Sequence, residues 1–108
     1  MNDLPVYEIL KEAAEKWPMN PAVHDEQGTI NFQELFIEAE KLRIELIRLG
    51  IKSGMGIGMM AGNGRQFIIG IFAAAGTGAA VMPMSPQLKR AEIVDILEQA
   101  KLHAIMDA

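Results

Sequence analysis

Apolar positions recur at helical spacing at the start of the chain. Val6, Ile9, Leu10, Ala13, Ala14 and Trp17 share one side of a helix that Asp3 can cap and Pro18 stops. The period then shortens: residues 22–25 and 29–32 are extended runs around Gly28, which predicts a small hairpin. From Asn31 the helical period returns. Leu35, Ala39, Leu42, Leu46 and Leu49 form one stripe, while Glu38, Glu40, Lys41, Arg43, Glu45 and Arg48 lie mostly on the other side. Asn31 and Glu34 stand at the spacing of a reciprocal N-cap, and Gly50 supplies a left-handed stop.

The second half is more uniformly apolar. "MGIGMMA", residues 55–61, reads as a short strand, and Asn63 with Gln66 repeats the Asn-x-x-Gln cap pattern before "FIIGIFAAAGTG" at 67–78. That segment is apolar on nearly all faces, so as a helix it must be buried on several sides. A strand at 79–84, a helix at 88–101 with Ile93, Ile96, Leu97 and Ala100 inward, and a strand at 103–108 complete the pattern. Strands without polar alternation, separated by helices, belong to a parallel sheet covered on both faces. The expectation is an α/β fold in three layers, forming a single domain over 1–108. It has a mostly parallel sheet with helices on both faces and a small N-terminal hairpin.

Composition narrows the function classes. With 108 residues, half of them apolar and 22% charged, the chain has the balance of one globular core. No cysteine is present, which removes disulfides, thiolate nucleophiles and cysteine-based zinc sites and permits a reducing, cytoplasmic setting. A net charge of -4 offers no broad field for a phosphate backbone, so no nucleic acid is expected as a partner. Arg65 is the only charge between Lys52 and Lys89, but Gly70, Gly76, Gly78, Pro83, Ser85 and Pro86 interrupt that stretch, and no transmembrane span is expected. The acidic N-terminus lacks the basic start of a signal peptide.

The glycines raise a sharper question, because Gly56, Gly58 and Ala61 spell G-x-G-x-x-A. A dinucleotide fingerprint needs its glycines in a turn between strand and helix, with an acidic residue at the end of the next strand. Here Gly56 and Gly58 fall within the strand-like run, and the following strand ends in Pro83, Ser85 and Pro86. A phosphate loop fails as well, since neither Gly-Lys-Ser nor Gly-Lys-Thr follows. Gly56, Gly58 and Gly62 therefore read as places of close backbone approach. His24 and His103 lack ligand partners at useful spacing, and Asp25, Glu26 and Asp107 lack a mate for acid-base work. Ser53, Thr77 and Ser85 have no activating base, and the methionines at 55, 59, 60, 82 and 84 read as flexible core filling. No residue is assigned a catalytic, cofactor-binding or metal-binding role.

The order of short signatures carries a resemblance. Pro21-Ala22, then Asn31-Phe32-Gln33-Glu34-Leu35, Leu49-Gly50 with Gly54, Asn63 with Gln66-Phe67, Gly78-Ala79, Pro83 with Pro86, and Glu92-Ile93 follow one another over nearly the whole chain. This series resembles the N-terminal portion of the adenylate-forming (AMP-binding) enzymes, which include acyl-CoA synthetases, adenylation domains and luciferases. Met55, Gln66 and Lys89 depart from the family's usual Asp, Glu and Thr. The family's phosphate loop with its lysine, its aromatic-Gly-x-Thr-Glu segment, its ribose-binding Asp and its C-terminal lysine have no counterpart here.

What the resemblance implies is a fragment of the large N-terminal domain, ending at Ala108 directly after strand residues. The parent would be an ATP-dependent fatty acid CoA ligase that forms an acyl-adenylate and then an acyl-CoA thioester. ATP, magnesium and coenzyme A are implied for that parent, and none is expected to bind this segment, which would be an inactive scaffold. Its partners would be the remainder of the parent chain and, through the apolar surface left bare, further copies of itself. The βαβ rhythm alone leaves a second reading open: a stand-alone small α/β module binding a nucleotide or a protein.

Overall fold

The computed structural model describes residues 6–60, 64–84 and 104–107. Helix α1 (Val6–Lys16) is followed by strands β1 (Pro21–Asp25) and β2 (Gly28–Asn31) and helix α2 (Phe32–Arg48). Strand β3 (Gly56–Met60), helix α3 (Arg65–Gly76) and strands β4 (Ala80–Met84) and β5 (Ala104–Asp107) complete it. The order matches the sequence expectation, with boundaries shifted by up to two residues. The expected helix over 88–101 lies outside the described residues, as do the Asp3 cap and Asn63.

The ends of α2 account for their own backbone groups, which is why this element is so legible. At its start the N–H groups of Phe32 and Gln33 donate to Asn20 O (3.1 Å) and Pro18 O (3.0 Å) in the loop leaving α1. Glu34 N donates to Asn31 Oδ1 (2.8 Å), and Asn31 N donates to Glu34 Oε1 (2.9 Å). At the far end Gly50, with φ of +96°, lets Gly50 N reach Ile47 O and Ile51 N reach Leu46 O, both at 3.0 Å. Leu46 and Ile51 then bury together in one core cluster. Leu49, expected on the inner stripe, is instead 72% exposed, because the chain is already turning away from the helix axis at this C-cap.

Three parallel strands in the order β4-β3-β5 form the larger sheet, with β3 central. Gly56 and Gly58 lie in β3, in register with Ala80 and Met82 of β4, so the glycine pattern belongs to a ladder and not to a turn that opens a helix. Ile57 and Met59 are fully buried. On one face of the sheet lies α3, with α1 and α2 packed beyond it. α3 accepts this central place because its buried positions, Ile69, Gly70, Ala73 and Ala74, are mostly small.

Two apolar clusters result. One joins α1, the hairpin, α2 and the first half of α3 through Tyr7, Leu10, Ile30, Leu35, Ala39 and Ile69. The other joins the end of α2, α3 and the sheet through Leu46, Ile51, Ile57, Ala73, Ala74 and Ala79. In α1 the inward residues are Tyr7 and Leu10, while Val6, Ile9 and Trp17 of the expected apolar face stand about half exposed. The rotation follows from Tyr7, whose ring lies against Phe36 (5.7 Å) and under the Arg43 guanidinium (5.4 Å). Tyr7 OH donates to Glu40, which Arg43 holds through Nε (2.8 Å) and Nη2 (2.7 Å). A Cβ on Gly76 would come within 2.6 Å of Arg43 Cδ and 2.8 Å of the Tyr7 ring, so this glycine is what lets α3 close on the group.

Candidate functional site

The most elaborate polar arrangement among the described residues joins the hairpin to the start of α3. Helix α3 begins after Gly64, whose φ is +104° and which offers no side-chain cap, so the N–H of Arg65 must be met from elsewhere. Asp25, at the end of β1, meets it: Oδ2 accepts from Arg65 N (2.9 Å) and Nε (3.0 Å). Asp25 Oδ1 accepts from Arg65 Nη2 (2.9 Å) and from Gln27 N (2.9 Å) in the turn. Arg65 Nη2 also donates to Gly28 O (3.2 Å). A Cβ on Gly64 would sit 3.2 Å from Asp25 Oδ2, so glycine there gives the carboxylate its access to the helix end.

The pair is largely shielded, with the Arg65 and Asp25 side chains 18% and 10% exposed. The Arg65 guanidinium, then the Arg65 and Gln27 N–H groups, hold the Asp25 carboxyl far below the usual carboxylate range, and Asp25 in turn raises Arg65. Chemically this closes the site. The carboxylate takes four donors and stays ionised, so it is unsuited to proton transfer. The guanidinium is committed to Asp25 and Gly28, so it does not present a free fork to phosphate.

The flanking surface is shallow and polar. A cleft of about 340 Å³ lies between the hairpin, α2 and α3, with Ile30 and Ile69 below and Gln27, Glu34 and Gln66 around it. A second, of about 440 Å³, opens beside His24, Glu26 and Gly64. His24 is exposed and its Nδ1 lies 2.6 Å from Thr29 Oγ1 across the hairpin. Thr77 closes the end of α3, its Oγ1 donating to Ala74 O (2.6 Å), and Ser53 packs under Gly78. His103, Ser85 and Gly62 lie outside the described residues, as does the side chain of Asp107. Among the described residues no three His, Asp or Glu side chains converge, and no helix is long and apolar enough to cross a membrane.

Sequence reasoning left Asp25 without a mate for acid-base work and missed its partner, Arg65. The signal was present: one charge, Arg65, in a long apolar stretch must be paired if it is buried. Gly64 is the N-cap residue of α3 and a carboxylate 40 residues earlier supplies an acceptor, while the expected cap at Asn63 lies outside the described residues.

A hairpin pinned to a small-residue helix that lies on parallel strands is a shape found in solved proteins. The N-terminal subdomain of NpsA from Klebsiella oxytoca, in complex with anthranilyl-AMSN, matches with a TM-score of 0.86 at 19% identity. The match covers 95% of this chain and 27% of that one. VinN in complex with L-aspartate matches with a TM-score of 0.85 at 23% identity, covering 93% of this chain and 28% of that one. The fold is thus that of the N-terminal subdomain of adenylate-forming enzymes. In sequence, tyrocidine synthase 3 from Brevibacillus parabrevis is 29% identical over 99 residues, which is 92% of this chain and 2% of the synthase. Bacitracin synthase 2 from Bacillus licheniformis is 31% identical over 86 residues, which is 80% of this chain and 3% of that synthase. The chain therefore spans only a small part of the length of the relatives it matches. The family described as AMP-binding enzyme matches residues 10–108, and the chain belongs to it. This bears out the resemblance at the level of adenylate formation. The synthases that match do not carry it to a fatty acid CoA ligase.

Proposed function

We propose that this chain is framework in an enzyme that activates an amino acid, or a related small carboxylic acid, as its adenylate. The family match over residues 10–108 carries the adenylate-forming part. The amino-acid part is favoured by relatives named for peptide products, tyrocidine synthase 3 and bacitracin synthase 2, and by the L-aspartate bound in VinN. In such a reaction a carboxylate oxygen attacks the α-phosphate of ATP, pyrophosphate leaves, and a thiol later takes the acyl group. The thiol is proposed to belong to a carrier protein, in line with one matching NpsA structure that is an artificially fused adenylation and PCP di-domain.

This segment's own part is positional. Its parallel strands are ordered by backbone ladders, its central helix is clamped by Asp25, and neither charged partner of that clamp is free to react. The test is pyrophosphate exchange into ATP by the protein that carries this segment, with panels of amino acids, aryl acids and fatty acids. Exchange driven by an amino or aryl acid supports the reading. Exchange driven by fatty acids alone would return the assignment to a fatty acid CoA ligase, and no exchange with any acid would defeat both.

A further inference from the structure

α1 carries an apolar strip that its own fold leaves bare. Val6, Ile9 and Trp17 are 48%, 53% and 52% exposed, and with Ala13 they follow the spacing of one helix face. Trp17 stays on that face because its N–H still bonds to Ala13 O (2.7 Å). The outer isoleucines of α2, Ile37, Ile44 and Ile47, make a poorer surface, because the charged pairs Lys41–Glu38 and Arg48–Glu45 stand among them.

We infer that this strip is the contact surface for a second copy of the chain, joined through an antiparallel α1–α1 pair about a two-fold axis at Ala13. Three features of the strip are self-complementary. Ala13, the smallest residue, sits at its middle, where two helices on a two-fold axis approach most closely. Ile9 and Trp17 stand four residues before and after it, so each meets the other's counterpart. On the flank, Glu12 and Lys16 are exposed, with Lys16 Nζ 3.8 Å from Glu12 and 5.9 Å from the centre of the Trp17 ring. Reversed against a copy of itself, that flank sets Glu12 beside the partner's Lys16 and Lys16 beside the partner's Glu12, with the two Glu12 side chains on either side of the axis. A uniformly acidic or basic partner would match one of these charges and oppose the other, whereas a two-fold copy matches both.

The strip is narrow, so the dimer is weak, with a Kd on the order of 100 μM. Trp17 is the only tryptophan, which makes the contact visible by its emission. The experiment is sedimentation velocity with tryptophan fluorescence on the 108-residue chain from about 1 μM to about 1 mM. The expected result is a shift from monomer to dimer, with Trp17 emission moving to shorter wavelength over the same range. Ile9→Asp, at an exposed position, should leave circular dichroism unchanged and weaken association by about 100-fold or more. Lys16→Glu should also weaken it, and Glu12→Lys with Lys16→Glu should restore it. A monomer throughout, a dimer whose Trp17 emission does not move, or failure of the charge swap to restore association would overturn the proposal. The charge swap keeps the test decisive even if Ile9→Asp disturbs the fold.

Discussion

The two sides of α3 are held by different physics. On the hairpin side, a two-stranded ribbon with one well-buried residue, Ile30, has too little apolar area to fix its own position, and a shielded ion pair fixes it instead. On the sheet side the buried residues are all apolar, Ile57, Ala73, Ala74 and Ala79 among them, and backbone ladders set the geometry. Directional bonding thus orients the part that burial cannot hold, while small side chains let the helix and sheet approach closely. One helix serves both: α3 offers Arg65 at its start to the first region and Ala73 and Ala74 to the second.

The widest gap between the two regions should appear on cutting into the sheet side. Ile57 is fully buried, and Ile57→Ala should cost roughly 2–5 kcal/mol in denaturant unfolding. That loss should not change with pH, because no titratable group belongs to the cluster.

Asp25→Ala strikes the other region and should give a smaller but pH-dependent loss of melting temperature. The sign follows from the depressed carboxyl of Asp25: its stabilisation is complete at neutral pH and is lost as pH falls below the ordinary carboxylate range. The gap in melting temperature between wild type and Asp25→Ala should therefore be full at pH 7 and narrow in strong acid. A gap that stays constant through the acid range would mean that the pair does not hold the hairpin.

The smallest effect should come from the cap that opens α2. Asn31→Ala removes one acceptor and should cost about 1 kcal/mol. Amide exchange would locate the change, with faster exchange at Glu34 and little change in β3.

What was legible in the sequence follows the same division. The Asn31–Glu34 cap and the Gly50 stop are local chemistry, and sequence spacing displays them directly. The placement of Gly56 and Gly58 in a strand was legible because the chemistry a nucleotide turn needs was missing around them. The Asp25–Arg65 clamp was legible only in half, since a lone arginine in an apolar stretch calls for a partner but that partner lies 40 residues away. The rotation of α1 was not legible, because Tyr7 goes inward through a hydrogen bond to Glu40 and a ring contact with Arg43 of another helix, and its own helix's apolar periodicity carries no trace of them.

Among the described residues, Gly56 and Gly58 are taken up by the strand ladder and Arg65 by Asp25, so neither feature is left to grip a nucleotide. Calorimetric titration of the 108-residue chain with ATP, in the presence and absence of magnesium, tests it most directly. The expected result is no heat of binding up to about millimolar ATP. Micromolar binding that weakens on Arg65→Met or Gly58→Ala would contradict it.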